Sequence, residues 1–186
     1  YSEMAPLYQT KMAQVDYEID CFIDLLREES VLSYLEIGSQ YGGSLWKVAT
    51  SLPKGSRIVS VDLPQPHHQT MMPLKDCETA LSADYDVRVF LGDSTSLDII
   101  RKVIALGPYD CVFIDANHTL PYVTKDWENY GVLGRLCAFH DIIWDRPVRP
   151  GRLPIEVSKL WRELKPQYRH VEFVGNQHRQ GRLDAL

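Results

Sequence analysis

Apolar positions along the chain come in two rhythms. In QVDYEIDCFIDLLRE (14–28), Val15, Ile19, Phe22, Ile23, Leu25 and Leu26 recur at intervals that predict an amphipathic helix. VLSYLEIG (31–38) is instead apolar almost throughout and ends on glycine, the signature of a short buried strand. The same alternation continues. It predicts helices over 44–52, 74–84, 96–107 and 120–134, and strands over 57–64, 86–93, 109–118 and 136–142. Beyond an Arg- and Pro-rich loop (145–154) come a helix at IEVSKLWREL, a strand at HVEFVG and a last segment, GRLDAL. Continuously apolar strands separated by helices and short links predict an α/β domain with a parallel sheet covered on both faces. A length of 186 residues suits one such domain. Its expected parts are an N-terminal helical segment (1–30), a core (31–145) and a C-terminal helix with closing strands (146–186).

Acidic residues fall where these strands end. Glu36, Asp62, Asp93 and Asp115 close or border four successive strands, and the fifth supplies His140 and Asp141. Aspartate is a common cap and turn residue, but capping alone does not account for so regular a series. In open α/β sheets ligands bind outside the carboxyl ends of the strands. The first of these ends, EIGSQYGGS, has neither GxxxxGK[ST] nor GxGxxG, so it matches neither the phosphate loop nor the dinucleotide fingerprint. A carboxylate beside the glycines disfavours a pyrophosphate and favours a cationic, phosphate-free ligand. Asp62 is placed to accept hydrogen bonds from ribose hydroxyls. S-adenosylmethionine, with a ribose, an adenine and a sulfonium, meets these demands.

LEIGSQYGGS, IVSVDLP, VFLGDS and VFIDANHTLPYVTKDWENYGVLGRLCAFHDI together resemble the class I S-adenosylmethionine-dependent methyltransferases. The last stretch is similar to small-molecule O-methyltransferases of the sugar and natural-product type and to cephalosporin-hydroxylase-like proteins. The resemblance spans about residues 31–145. It implies a doubly wound, mostly parallel seven-stranded sheet in a three-layer αβα arrangement, closed by an antiparallel hairpin. For that hairpin the segment GRLDAL is short, as in a truncated chain. The resemblance also implies that Glu36, Gly38, Ser39, Gly42 and Gly43 line the methionine and ribose of the cofactor. Asp62 would hold the ribose diol, Asp93 and Ser94 would meet the adenine edge, and Asp115 would complete the cofactor-binding set. Two departures from the family wording stand out. Pro-Gly-Gly before the fifth strand is reduced to Gly134, and Ala116-Asn117 replaces Gly-Asp.

Methyl transfer to a hydroxyl needs an aligned acceptor oxygen and a destination for its proton. His118, with an ordinary pKa near 6.5, is the candidate base, and Asp115 and Asp141 are candidate partners in catalysis. Relatives in the resembled group bind a divalent cation through an acid in the Asp115 position and an acidic pair at 140–141. Transferred here, the metal ligands are Asp115, His140 and Asp141. Magnesium is the family expectation, but an imidazole in the set moves preference toward a transition metal. The residues leave open whether a metal is needed.

Composition narrows the partners. A net charge of −5 argues against a general nucleic-acid binder. Nine Lys or Arg against three Glu between Arg146 and Arg182 would suit an anionic acceptor or a solvated face. Cys21, Cys77, Cys111 and Cys137 form no CxxC pair and read as free thiols of a cytoplasmic protein. No apolar run is long enough to span a membrane, and YSEMAPLYQT lacks the pattern of a signal peptide. His67 and His68, on a loop that would border the substrate, are not taken as site residues. Trp127, Tyr130 and Trp161 read as packing residues. The oligomeric state is left open, including a homo-oligomer. The rival functional readings are a nicotinamide-dependent oxidoreductase and a non-catalytic or regulatory domain on the same fold.

Overall fold

The computed structural model describes residues 14–65, 72–144, 147, 150–176 and 179–183. His67 and His68, and parts of the two loops expected to border the substrate, lie outside the described residues.

Five strands form the main sheet: β1 (Ser33–Ile37), β2 (Arg57–Asp62), β3 (Asp86–Leu91), β4 (Tyr109–Ile114) and β5 (Gly134–Phe139). Their order is β3-β2-β1-β4-β5 and every pairing is parallel. The order reverses between β1 and β4, so their carboxyl ends open the crevice where such sheets take ligands.

Side-chain alternation splits the core into two layers. Tyr34, Ile58, Val87, Cys111 and Phe113 pack on one face against α1 (Asp16–Glu28), α2 (Gly43–Ala49) and α3 (Leu74–Leu81). Leu35, Ile37, Val59, Val112 and Ile114 pack on the other face against α4 (Leu97–Ile104), α5 (Leu120–Tyr130) and α6 (Val157–Leu164). Each fully buried aliphatic side chain contributes about 1.5–3 kcal/mol. The αβα sandwich and its parallel sheet agree with the sequence pattern, and helix ends differ by a few residues because their last turns fray.

The seven-stranded sheet implied by the resemblance is not what forms. β6 (Glu172–Asn176) and β7 (Arg179–Leu183) pair antiparallel with each other as a separate two-stranded sheet. Among the described residues no ladder joins this hairpin to β5. It leans on α1 instead. The Gly175 amide donates to Glu18 Oε1 at 2.8 Å, and Phe173 packs against the α1 side of the core. A side chain at Gly175 would collide with the Tyr17 ring, which lies 2.6 Å from where its Cβ would stand.

At the amino edge of the sheet, Asp110 ties β4 to the start of β1. Its Oδ2 accepts from the Leu32 and Ser33 amides, both at 2.9 Å, and from the Ser33 hydroxyl at 3.0 Å. The carboxyl edge is built differently.

Candidate active site

Backbone hydrogen bonds carry the sheet one residue beyond several strands. Gly38 donates to Val61, Asp115 to Ile37, and Gly92 to Asp62, each at 2.8 Å, while His140 donates to Ile114 at 3.2 Å. These bonds set the residues that follow each strand along one rim.

Gly38 is where the rim is tightest. Its φ is +94°, and a Cβ there would collide with the Asp115 carbonyl oxygen. The turn after β4 therefore by itself requires the bare backbone. Gly42, with φ +77°, starts α2 in the left-handed region and faces the Cys77 sulfur and Leu74. Gly43 opens α2 and is buried.

Glu36 departs from its expected role along the cofactor. The alternation of β1 puts it on the same face as Tyr34, where it is fully buried. Its oxygens accept from the Tyr34 hydroxyl and the Ser44 hydroxyl, each at 2.7 Å. Burial, only partly offset by hydroxyl hydrogen bonds from Ser44, Tyr34 and Ser39, raises its pKa to about 7. Glu36 thus braces the glycine loop from below and offers a ligand no surface. Ser39 is also buried, its hydroxyl 2.8 Å from that of Ser60. With Glu36 internal and readily neutralised, its repulsion of phosphate is weaker than the sequence alone implies.

Asp62 stands at the end of β2 with its carboxylate engaged by its own surroundings. The Gln40 amide donates to Oδ2, and the Leu63 amide donates to Oδ1 at 2.6 Å. Asp93 Oδ1 accepts from the Thr95 amide and hydroxyl, both at 2.8 Å, which hold its carboxyl below the usual range. Ser94 donates its hydroxyl to Asp126 Oδ1 at 2.7 Å, and Tyr130 donates to the Ser94 carbonyl.

On the other side of the crevice, Asp115, His118, His140 and Asp141 converge. Asp115 Oδ1 lies 3.1 Å from His118 Nε2 and 3.2 Å from His140 Nδ1. Asp141 places Oδ2 3.4 Å from His118 Nε2 and Oδ1 3.4 Å from His140 Nδ1. It does so from a φ of 58°, an uncommon conformation for a non-glycine residue that turns the chain sharply after β5. Gln14, just ahead of α1, donates its side-chain amide to Asp115 Oδ2 at 2.7 Å. The His118 carbonyl accepts from the Glu156 amide at 2.8 Å, and Glu156 Oε2 accepts from the Leu120 amide at 3.0 Å. This pair of bonds ties the turn holding His118 to the segment preceding α6.

The electrostatics follow from that packing. Burial pulls the Asp115 carboxyl upward, but the two histidines outweigh it and hold it below the usual range. The hydrogen bond to Asp115 raises His118, against the opposing effect of burial. Burial would lower His140, yet Asp115 and the neighbouring acids raise it to about 9. The acids therefore push both imidazoles toward the protonated form, His140 the further of the two to about 9. Ligand atoms of Asp115, His118 and His140 all lie within 4.8 Å of one another, a spacing suited to one cation. His118, the candidate base from sequence, thus falls within the set able to hold a metal.

Sequence reasoning missed Gln14, Asp126 and Glu156. Asp126 had a usable signal, for it shares the apolar stripe of α5 with Val123 and Tyr130, and all three are buried. Gln14 had none, because its partner lies far along the chain. Of the basic C-terminal residues, Lys159 pairs with Glu156 at 2.7 Å and Lys165 with Glu172 at 2.9 Å, which reduces the free positive charge.

No curated protein matches the chain at a significant level. Solved structures do match in fold. One, from Staphylococcus aureus, is described as a caffeoyl-CoA O-methyltransferase; it has a TM-score of 0.62 and 16% identity, over 89% of this chain and 81% of its own. The O-methyltransferase TomG of Streptomyces achromogenes, involved in tomaymycin synthesis and solved with S-adenosylmethionine, has a TM-score of 0.56 and 20% identity, over 86% and 72%. An O-methyltransferase from Bacillus cereus, solved with S-adenosylhomocysteine, has a TM-score of 0.57 and 20% identity, over 90% and 76%. The family model of the methyltransferase domain matches residues 35–136, more than half of the sequence and all of the rim from Glu36 to the start of β5. By that match, the chain belongs to the methyltransferase-domain family.

Proposed function

We propose that this chain transfers a methyl group from S-adenosylmethionine to a hydroxyl oxygen of a small molecule. The observation that carries the reading is the convergence of Asp115, His118, His140 and Asp141 on the rim that Gly38 shares. The O-methyltransferases with the same fold, two of them solved with the methyl donor or its product, support the choice of cofactor and acceptor atom. A nicotinamide-dependent oxidoreductase or a non-catalytic domain draws no support from the family match.

The strand order supports one arrangement of the cofactor. Asp62 would hold the ribose at the end of β2, with the adenine toward Asp93 and Ser94 beyond β3. The methionine would lie along the loop from Gly38 to Gly43, placing the methyl group before β4. The donor supplies a sulfonium-bound methyl as electrophile. Asp115 orients His118 by accepting from its Nε2–H, and in the neutral ring Nδ1 is the nitrogen that would take the acceptor's hydroxyl proton. Because His118 titrates above its ordinary 6.5, turnover should rise with pH through that region. A profile flat from about pH 6 to about pH 9 would assign proton removal elsewhere.

Asp115, His118 and His140, with Asp141 beside them, would also suit a divalent cation. The mixed imidazole and carboxylate donors favour a transition metal over magnesium. Such an ion would polarise the acceptor hydroxyl and lower its pKa. The histidines must lose their protons to ligate, so affinity should increase with pH. Next to His140 and Asp141, a cavity of about 1,600 Å³ bordered by Phe139, Trp144 and Trp161 offers room for an acceptor with an apolar body.

Calorimetry with S-adenosylhomocysteine, with and without added manganese or magnesium, tests the reading. Binding is expected, and its absence would overturn the proposal. A heat of metal binding abolished by His140→Ala is expected if the cation site exists.

A further inference from the structure

Asp126 is buried and takes no part in the chemistry above. It lies on the inner face of α5 with none of its surface exposed. One oxygen accepts from the Ser94 hydroxyl at 2.7 Å, and the other is buried without a hydrogen-bond partner among the described residues. Leaving a carboxylate oxygen unsatisfied in the interior is costly. An alanine or leucine would fill the same place on the apolar stripe between Val123 and Tyr130 without that cost. The arrangement makes sense if what matters is the state in which it holds Ser94.

A serine hydroxyl has one proton and two lone pairs. Asp126 takes the proton, so the lone pairs are what Ser94 can offer outward. Tyr130 fixes the same residue by its carbonyl, so the main chain is anchored while the hydroxyl rotor is locked. Ser94 is half-buried three residues beyond the end of β3, whose last residue, Leu91, pairs with Asp62 on β2. With a ribose at Asp62 and the reacting methyl toward β4, the base must extend the other way, over β3.

We infer that Asp126 is a positioning residue that makes Ser94 a hydrogen-bond acceptor, and so selects a nucleoside bearing an exocyclic amino group over one bearing a carbonyl. Ser94 would accept from the adenine 6-amino group. Against the carbonyl of hypoxanthine it would present lone pair to lone pair. The inference rests on the cofactor reading above, and it adds a determinant of base identity outside the catalytic cluster.

The test compares binding of S-adenosylhomocysteine and S-inosylhomocysteine, in which a carbonyl replaces the 6-amino group, by calorimetry. The wild type should prefer the amino nucleoside by about tenfold or more, as a site built around one hydrogen bond rejects its mismatch. Asp126→Ala frees the Ser94 hydroxyl to donate, and the preference should shrink by at least about threefold. Ser94→Ala removes the acceptor from the loop side, keeps every side chain of α5 in place while taking the hydroxyl donor from Asp126, and should shrink it likewise. This second variant keeps the test decisive if truncating Asp126 prevents folding. Loss of packing alone would weaken both nucleosides together and leave their ratio intact. If the variants bind S-adenosylhomocysteine with the wild-type ratio, the inference is wrong while the cofactor reading stands. If the wild type binds neither nucleoside, both fall.

Discussion

Asp110 and Asp115 lie near the two ends of β4, and both carboxyls are held below the ordinary aspartate range against the upward pull of burial. Their donors differ. Asp110 is served by two main-chain amides and a hydroxyl of the β1 segment. Those amides cannot lose protons or leave, so the bond pattern is permanent and fastens one strand to the next. Asp115 is served by two imidazoles and a glutamine amide. Each of these can deprotonate or rotate away, so the carboxylate can be handed to another partner. A lowered pKa alone does not separate a staple from a reactive group; the exchangeability of the donors does. Glu36 supplies a third case. Its partners are neutral hydroxyls, which do not compensate for full burial, and its pKa goes up instead.

The largest effect should come from Asp115. Replacing it with Asn keeps the size but removes the charge that orients and raises both histidines. Methyl transfer should fall by about 10²–10⁴-fold, the range of general-base loss, measured as turnover of any acceptor the wild type methylates. Undiminished turnover would erase the contrast with Asp110.

Glu36 should come next, and its effect is on stability. The unfolded carboxyl titrates near 4.5 and the folded one at about 7. Between those limits the folded chain holds a proton that the unfolded chain has lost, so ionisation works against the fold as pH rises. The penalty is absent below the lower limit and complete above the upper, where it reaches about 3 kcal/mol. Glu36→Gln, still able to bond Ser44, should therefore gain about that much on the wild type between about pH 5 and about pH 8 in urea melts. A constant difference across that range would mean Glu36 stays ionised in the fold.

Asp110→Ala should have the smallest effect, lowering stability by about 2 kcal/mol through loss of its charged hydrogen bonds. Its turnover per folded molecule should match the wild type. A collapse of turnover in fully folded protein would show that the amino edge communicates with the rim.

The αβα layering was legible because burial on two faces leaves continuous apolar strands, as in YDCVFI, while amphipathic helices such as α1 carry an apolar stripe. The rim acids were legible because parallel strands put all their carboxyl ends on one side, and four of them announced themselves by residue type. What remained hidden depends on contacts that pattern does not encode. Glu36 reads like Asp62 as a strand-end acid, yet one more step of β alternation turns it inward. Gln14 meets Asp115 only through tertiary packing. The separate β6–β7 hairpin meets α1 at Gly175 through Glu18 and Tyr17, contacts that short strands do not reveal by composition. All four cysteines are free thiols, Cys77 and Cys111 buried and Cys21 and Cys137 half-buried, as the absence of a CxxC pair indicated.

In the proposed arrangement, the contact between residue 38 and the Asp115 carbonyl gives the two reactants a party wall. Any side chain added there would thrust the glycine loop and the turn after β4 apart together, so neither can be remodelled at that point alone. On that reading, variation that retunes what is methylated would enter from farther out, through side chains that line the cavity rather than through the seam itself.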